Sequence, residues 1–156
     1  MASLVNPSHN YSLFSVPVAY VLAMWPSVYG KLKAGKVFDP ANPREFNEAV
    51  KSSESIDKIT KNRILRSQAA SANAFETLSL FVGGILAANL AGVPIQTTNL
   101  LASGYLAFRF IFNITYVWLQ DNRKFAVVRS IAFNGSMVCW MTMYIKAGLL
   151  LLASSK

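Results

Sequence analysis

The chain has 156 residues, of which 53% are apolar, 12% aromatic and only 14% charged, and 15 Lys and Arg against 7 Asp and Glu give it a formal charge of +8. Soluble domains are ~45–50% apolar and ~25% charged, and a chain this short has too much surface to cover with so few charges. A single cysteine, Cys139, excludes an intrachain disulfide framework and a single histidine, His9, excludes a histidine-based metal cluster, leaving a small polytopic membrane protein, one domain over residues 1–156.

A membrane helix needs ~20 mostly apolar residues to cross ~30 Å of hydrocarbon. The first such run, about 11–29, has no charge and contains Pro17 and Pro26, whose freed carbonyls a membrane bundle can satisfy. It does not read as a cleaved signal peptide: no Lys or Arg precedes it, and Lys31, Lys33 and Lys36 follow it. The loop from about 31 to 66 is too polar to span. Its DPANP run at 39–43 reads as turns, and 44–66 as a surface helix continuing into the second span. That span, about 67–93, carries one charge, Glu76, and ends in Ala-Gly-Val-Pro, with Gly suited to a helix C-cap and Pro to the next helix start. The third, about 95–119, carries only Arg109. The fourth, about 125–153, carries Arg129 near its start and Lys146 near its end. The fold predicted is an all-α membrane protein, a four-helix up-down bundle.

Charge sets the orientation. Loop one holds nine Lys and Arg (Lys31, Lys33, Lys36, Arg44, Lys51, Lys58, Lys61, Arg63, Arg66) and loop three adds Arg123 and Lys124. The N-terminal segment and loop two have none, and the C-terminus has only Lys156. By the positive-inside rule loops one and three are cytoplasmic and both termini lie across the membrane. Topology and anionic headgroups thus account for most of the +8. Nucleic-acid binding is excluded, since loop one interleaves its basic residues with only Phe38 and Phe46.

Charged side chains within spans are costly and mark function. Arg66, Asn73 and Glu76 are spaced seven and three apart, and Tyr105, Arg109, Asn113 and Tyr116 four, four and three, which places each set on one helix face. Arg129 and Ser130 lie one turn inside the fourth span, so the polar set converges on the cytoplasmic half. A purely structural account pairs Glu76 with Arg109. Arg109 and Arg129 together exceed what one carboxylate neutralises, and a bound polyanionic or zwitterionic ligand would relieve the surplus. No phosphate loop, zinc spacing or nucleophile–base pair is present. Cys139 reads as packing and His9 as a solvated tail residue.

Four short motifs, in this order and at these helix positions, carry a family resemblance: Asn42-Pro43-Arg44; Arg66-SQAASA-Asn73-AF-Glu76; Arg109-FIFNIT-Tyr116; and Arg129-Ser130. The chain resembles the membrane-associated proteins in eicosanoid and glutathione metabolism (MAPEG). The resemblance implies a homotrimer of four-helix protomers, glutathione held between protomers near the cytoplasmic face, and residence in the endoplasmic reticulum. It implies that Glu76 holds the glutathione amino group with Asn73 beside it, and that Arg109 and Asn113 support the charge network. Tyr116 would line the pocket, and Arg129 with Ser130 would face the sulfur. The sequence departs from the pattern at Ala69 and Phe112, where members often have Arg and a hydrogen-bonding ring, and at Ser71 and Ser79. The segment between Tyr116 and Arg129 is longer. The lost Arg removes a carboxylate clamp that Arg66 or Lys31 is expected to replace.

The reading that follows is a glutathione-dependent transferase or peroxidase acting on lipophilic electrophiles through an Arg-stabilised thiolate, with no metal. The alternatives are a glutathione-independent isomerase or cyclase of a lipophilic metabolite, and a non-catalytic membrane binding protein.

Overall fold

The structure, a computed structural model, describes Asn6 and residues 8–155. Residues 1–5, 7 and 156 lie outside that description, and with them Lys156 and part of the uncharged N-terminal segment. Among the described residues the regular elements are helices: α1 (Ser15–Ala34), α2 (Phe46–Ser52), α3 (Lys58–Leu90), α4 (Ile95–Val117) and α5 (Ala126–Ser154), with short 3-10 turns between them. All but α2 are long and apolar enough to cross a membrane. The chain is an all-α four-helix membrane bundle.

α3 begins at Lys58, ahead of the position near 67 that hydropathy suggests. The cause is local: Oδ1 of Asp57 accepts from the Ile59 and Thr60 N–H groups, both at 3.0 Å, and Lys and Arg are good helix formers whatever their hydropathy. Hydrogen bonds from Thr60 hold the Asp57 carboxyl below the usual carboxylate range. At 33 residues α3 is about 50 Å long, so its charged first turns project beyond ~30 Å of hydrocarbon. The stretch 44–66 is not one helix running into α3: α2 ends at Ser52, the extended backbone of Ser53 breaks the path, and Phe46 and Val50 bury against Ile64 instead.

α1 continues through Pro26. Proline has no N–H to give the carbonyl four residues back, that of Leu22. Asn113 of α4 supplies the missing donor, its Nδ2 reaching the Leu22 oxygen at 2.8 Å. Beside it Ser71 Oγ donates to the Ala23 carbonyl at 2.7 Å, and Gln68 and Ser27 exchange two bonds. Gly30 permits this seam, because a Cβ there would collide with Ser67 and Gln68. α3 and α4 are joined by a tight turn in which Gly92 adopts φ +73°, as a C-terminal capping glycine does. In the core, Phe81 stacks on Tyr105 with ring centroids 3.8 Å apart, and Cys139 packs against Gly104. The end of the bundle carrying loops one and three is called the basic end below.

Candidate functional site

Toward the basic end α3, α4 and α5 line an open cavity of about 280 Å³. α3 contributes Ala69 and Asn73, α4 Phe112 and Tyr116, and α5 Arg129, Ser130, Phe133 and Asn134. Two neighbouring aromatic rings lie between a lining cation and a second one behind the wall. The Arg129 guanidinium carbon is 5.0 Å from the Tyr116 ring centroid, Tyr116 and Phe112 are 5.5 Å apart, and the Arg109 guanidinium carbon is 4.8 Å from Phe112. Each Arg thus lies on an aromatic face, a favourable cation–π arrangement.

Arg109 is 2% exposed and lies behind the cavity wall. Its Nη1 donates to Asn73 Oδ1 at 3.0 Å, while its Nε and Nη2 have no partner. The Glu76–Arg109 ion pair of the purely structural account does not form. At about 100° per residue Glu76 lies ~60° around α3 from Asn73, which turns it to the exposed outer surface, and the neutral amide of Asn73 takes its place against Arg109.

The other expected residues divide by helix geometry. Asn113 is not in the cavity: it lies ~80° around α4 from Tyr105, facing α1, where it repairs the backbone at Pro26. Arg66 shares Asn73's face but sits two turns nearer the helix start, and its long side chain reaches loop three instead. Nη2 donates to the Val117 carbonyl at the end of α4, at 3.0 Å, and to Asp121 in the loop. Arg63 joins the same carboxylate, Nε to Oδ2 at 2.8 Å. Burial would raise the Asp121 carboxyl, but the bonds from Arg66 and Arg63 outweigh it and hold the group below the usual range. Lys31 lines a separate cavity of about 180 Å³ beside Ser71 and Phe75, with its Nζ 5.1 Å from the Phe38 ring centroid. Tyr105 points away from the cavity, into the core with Phe81 and Thr77.

Phe133, Asn134 and Asp121 have no counterpart in the sequence-based set. Asn134 lies four residues beyond Ser130, whose carbonyl it caps at 2.8 Å, so continuing the α5 stripe by one turn would have reached it. Asp121 is the acid in a basic loop, a signal in plain sight.

The cavity offers one full positive charge in Arg129, the amides of Asn73 and Asn134, the Tyr116 hydroxyl, the lone pairs of Ser130 Oγ, whose proton goes to the Ala126 carbonyl at 3.0 Å, and a second buried cation one bond behind Asn73. That donor-rich, cationic set suits an anionic sulfur or carboxylate. No curated protein and no solved structure matches the chain at significant similarity. The MAPEG family model matches residues 10–149, a stretch that contains all four membrane-spanning helices almost entire and every lining residue of this cavity, and the chain belongs to the MAPEG family.

Proposed function

We propose that the protein is an integral-membrane, glutathione-dependent transferase or peroxidase acting on lipophilic electrophiles. MAPEG is a family of membrane transferases and isomerases linked to glutathione. The observation that carries the finer reading is the meeting of Arg129, Tyr116 and Ser130 with the Asn73–Arg109 pair around one cavity. Glutathione supplies, when bound, a thiol whose anion is the nucleophile. Arg129 favours that anion and lowers the thiol pKa from its ordinary ~8.5 toward neutrality. Asn73, its carbonyl held by Arg109, presents its NH₂ to a carboxylate. The Tyr116 hydroxyl is placed to donate to an oxygen that gains charge during the reaction.

One copy does not balance this ligand, which brings two carboxylates and an ammonium to a cavity lined by a single cation and no acid. Glu76 supplies the missing acid from outside. Ala69, Ala72, Glu76 and Ser79 recur at three and four residues along the exposed face of α3. Small residues allow close helix approach, and a carboxylate facing lipid is costly. We therefore place a second copy against this face, in a homotrimer whose sites lie between protomers, with Glu76 and Lys31 or Arg66 reaching the ligand's charged ends. Loops one and three face the cytoplasm, from an endoplasmic reticulum membrane.

Calorimetry on the detergent-purified protein tests the reading: glutathione should bind more tightly than ~1 mM. Arg129→Ala should keep affinity within a few-fold, cut turnover ~10²–10³-fold and abolish the ultraviolet thiolate absorbance at neutral pH. Arg129→Lys should recover part of it. Loss of turnover in Arg123→Ala but not Arg129→Ala would shift the assignment to loop three.

A second reading rests on Ala69 and Phe112, which line the cavity without offering a donor. An isomerase or cyclase would need only Arg129, Tyr116 and Ser130 for proton transfer and oxyanion stabilisation. Turnover unchanged by glutathione would favour it.

A further inference from the structure

A larger cavity, about 390 Å³, opens at the opposite end of the bundle between the start of α1 and the first turns of α4. Its wall can hydrogen-bond but carries no charge: Tyr11, Ser12, Ser15, Gln96, Asn99 and Ser103, completed by buried Ala102 and exposed Leu100. Much of the wall is fixed in place. Asn99 gives Nδ2 to the His9 carbonyl at 2.8 Å and takes the Tyr11 N–H at 2.9 Å. Ser12, fully buried, accepts from Asn89 at 3.0 Å and donates to Asn10 at 2.6 Å. With those groups partnered, the free capacity is the Gln96 amide, the Tyr11 hydroxyl proton and the acceptor lone pairs of Ser15 and Ser103.

Gln96, Asn99 and Ser103 follow one face of α4 at three and four residues. At ~1.5 Å per residue the row runs about 10 Å along the helix from its first turn. Lipid chains offer the Gln96 amide and the Ser103 lone pairs no partners, and a polar group without one is costly there. An occupant must therefore be polar over about that depth, uncharged and attached to an apolar chain.

We infer that this cavity binds the headgroup of an uncharged acylglycerol, with its hydroxyls and ester carbonyl spaced along the Gln96–Ser103 row and its chain leaving past Leu100. A sterol brings one hydroxyl at one depth. A phosphate-bearing lipid brings charge that no lining residue balances.

The test uses the full chain in phosphatidylcholine nanodiscs with a diazirine-bearing monoacylglycerol, irradiated and mapped by mass spectrometry. Adducts should concentrate on residues 11–15 and 96–103 and be competed by mono-oleoylglycerol, not by cholesterol or lysophosphatidate. Ser103 bonds only within its own helix, to the Asn99 carbonyl at 2.9 Å, so Ser103→Ala should fold normally yet weaken competition about three- to tenfold. Gln96→Leu should do the same through an independent group, with glutathione binding unchanged in both variants. Adducts spread evenly over the lipid-facing residues, equal competition by cholesterol or lysophosphatidate, or native labelling in both variants would overturn the proposal. So would a disulfide between copies of Leu100→Cys, since a second copy would then cover the opening.

Discussion

Asn113→Leu is expected to destabilise the bundle without touching the candidate site, because Asn113 serves Pro26. The change keeps the branched side-chain outline, with bulkier methyl ends, but removes the 2.8 Å bond to the Leu22 carbonyl, which Pro26 leaves without an intrahelical donor. Hydrogen bonds in membrane bundles average ~0.6 kcal/mol and reach ~1.7, while an orphaned buried acceptor costs ~1–3 kcal/mol. Asn113 Oδ1 is itself buried without a partner, and removing it returns part of that loss. The net expectation is about 1–2 kcal/mol. A double-mutant cycle with Pro26→Ala isolates the cause, since alanine restores an N–H to the Leu22 carbonyl. In that background Asn113→Leu should cost close to nothing, giving a coupling of about 1 kcal/mol or more. Denaturant unfolding in detergent measures the four corners, with glutathione calorimetry on each. An equal cost in both backgrounds, or a glutathione affinity that falls with Asn113→Leu at unchanged stability, would refute the reasoning and return Asn113 to the ligand.

Three further outcomes are expected. Asp121→Asn should lower stability by about 0.2–1 kcal/mol for each partly exposed pair lost; because the folded carboxyl lies below its unfolded ~3.9, that difference should be constant from pH 7 to 5 and fade below about pH 4 in thermal melts. Glu76→Gln should weaken glutathione binding and the trimer seen by native mass spectrometry while helix content stays constant; a loss of stability at unchanged affinity would assign Glu76 to structure alone. Lys51→Cys should react with an impermeant thiol reagent only from the cytoplasmic side and Asn6→Cys only from the lumenal side, and the reverse pattern would overturn the charge-bias orientation.

The four spans were legible because lipid demands long apolar runs, and the turn at Gly92 because a positive φ favours glycine. The start of α3 was not: hydropathy finds the lipid-facing part of a helix, while Asp57 and a run of Lys and Arg extend the helix itself into water. Spacing also blurred the site. Steps of three and four residues drift around a helix and also advance along it, so Arg66, Asn73 and Glu76 read as one face yet meet loop three, the cavity and the outer surface respectively. Asn113 was the hardest to assign, because its reason is a proline 87 positions earlier on another helix. Polar residues in a span mark function only after such backbone debts are identified.

The two arginines of the second and third spans differ in how they are neutralised. Arg66, at the wet end, has a carboxylate and a carbonyl. Arg109, at membrane depth and 2% exposed, has one neutral amide oxygen and the face of Phe112. An unpaired guanidinium in a low-dielectric interior costs several kcal/mol, and a single acid within reach would have removed that cost, as Asp121 does for Arg66. The acid on α3 faces outward instead. Arg109 thereby polarises Asn73, whose NH₂ borders the cavity, and holds a positive potential behind the site that an arriving anion lowers. The same arrangement explains why Arg129 can remain half-buried without a carboxylate: the rings of Tyr116 and Phe112 separate the two cations, and the counter-charge is left for the ligand to bring.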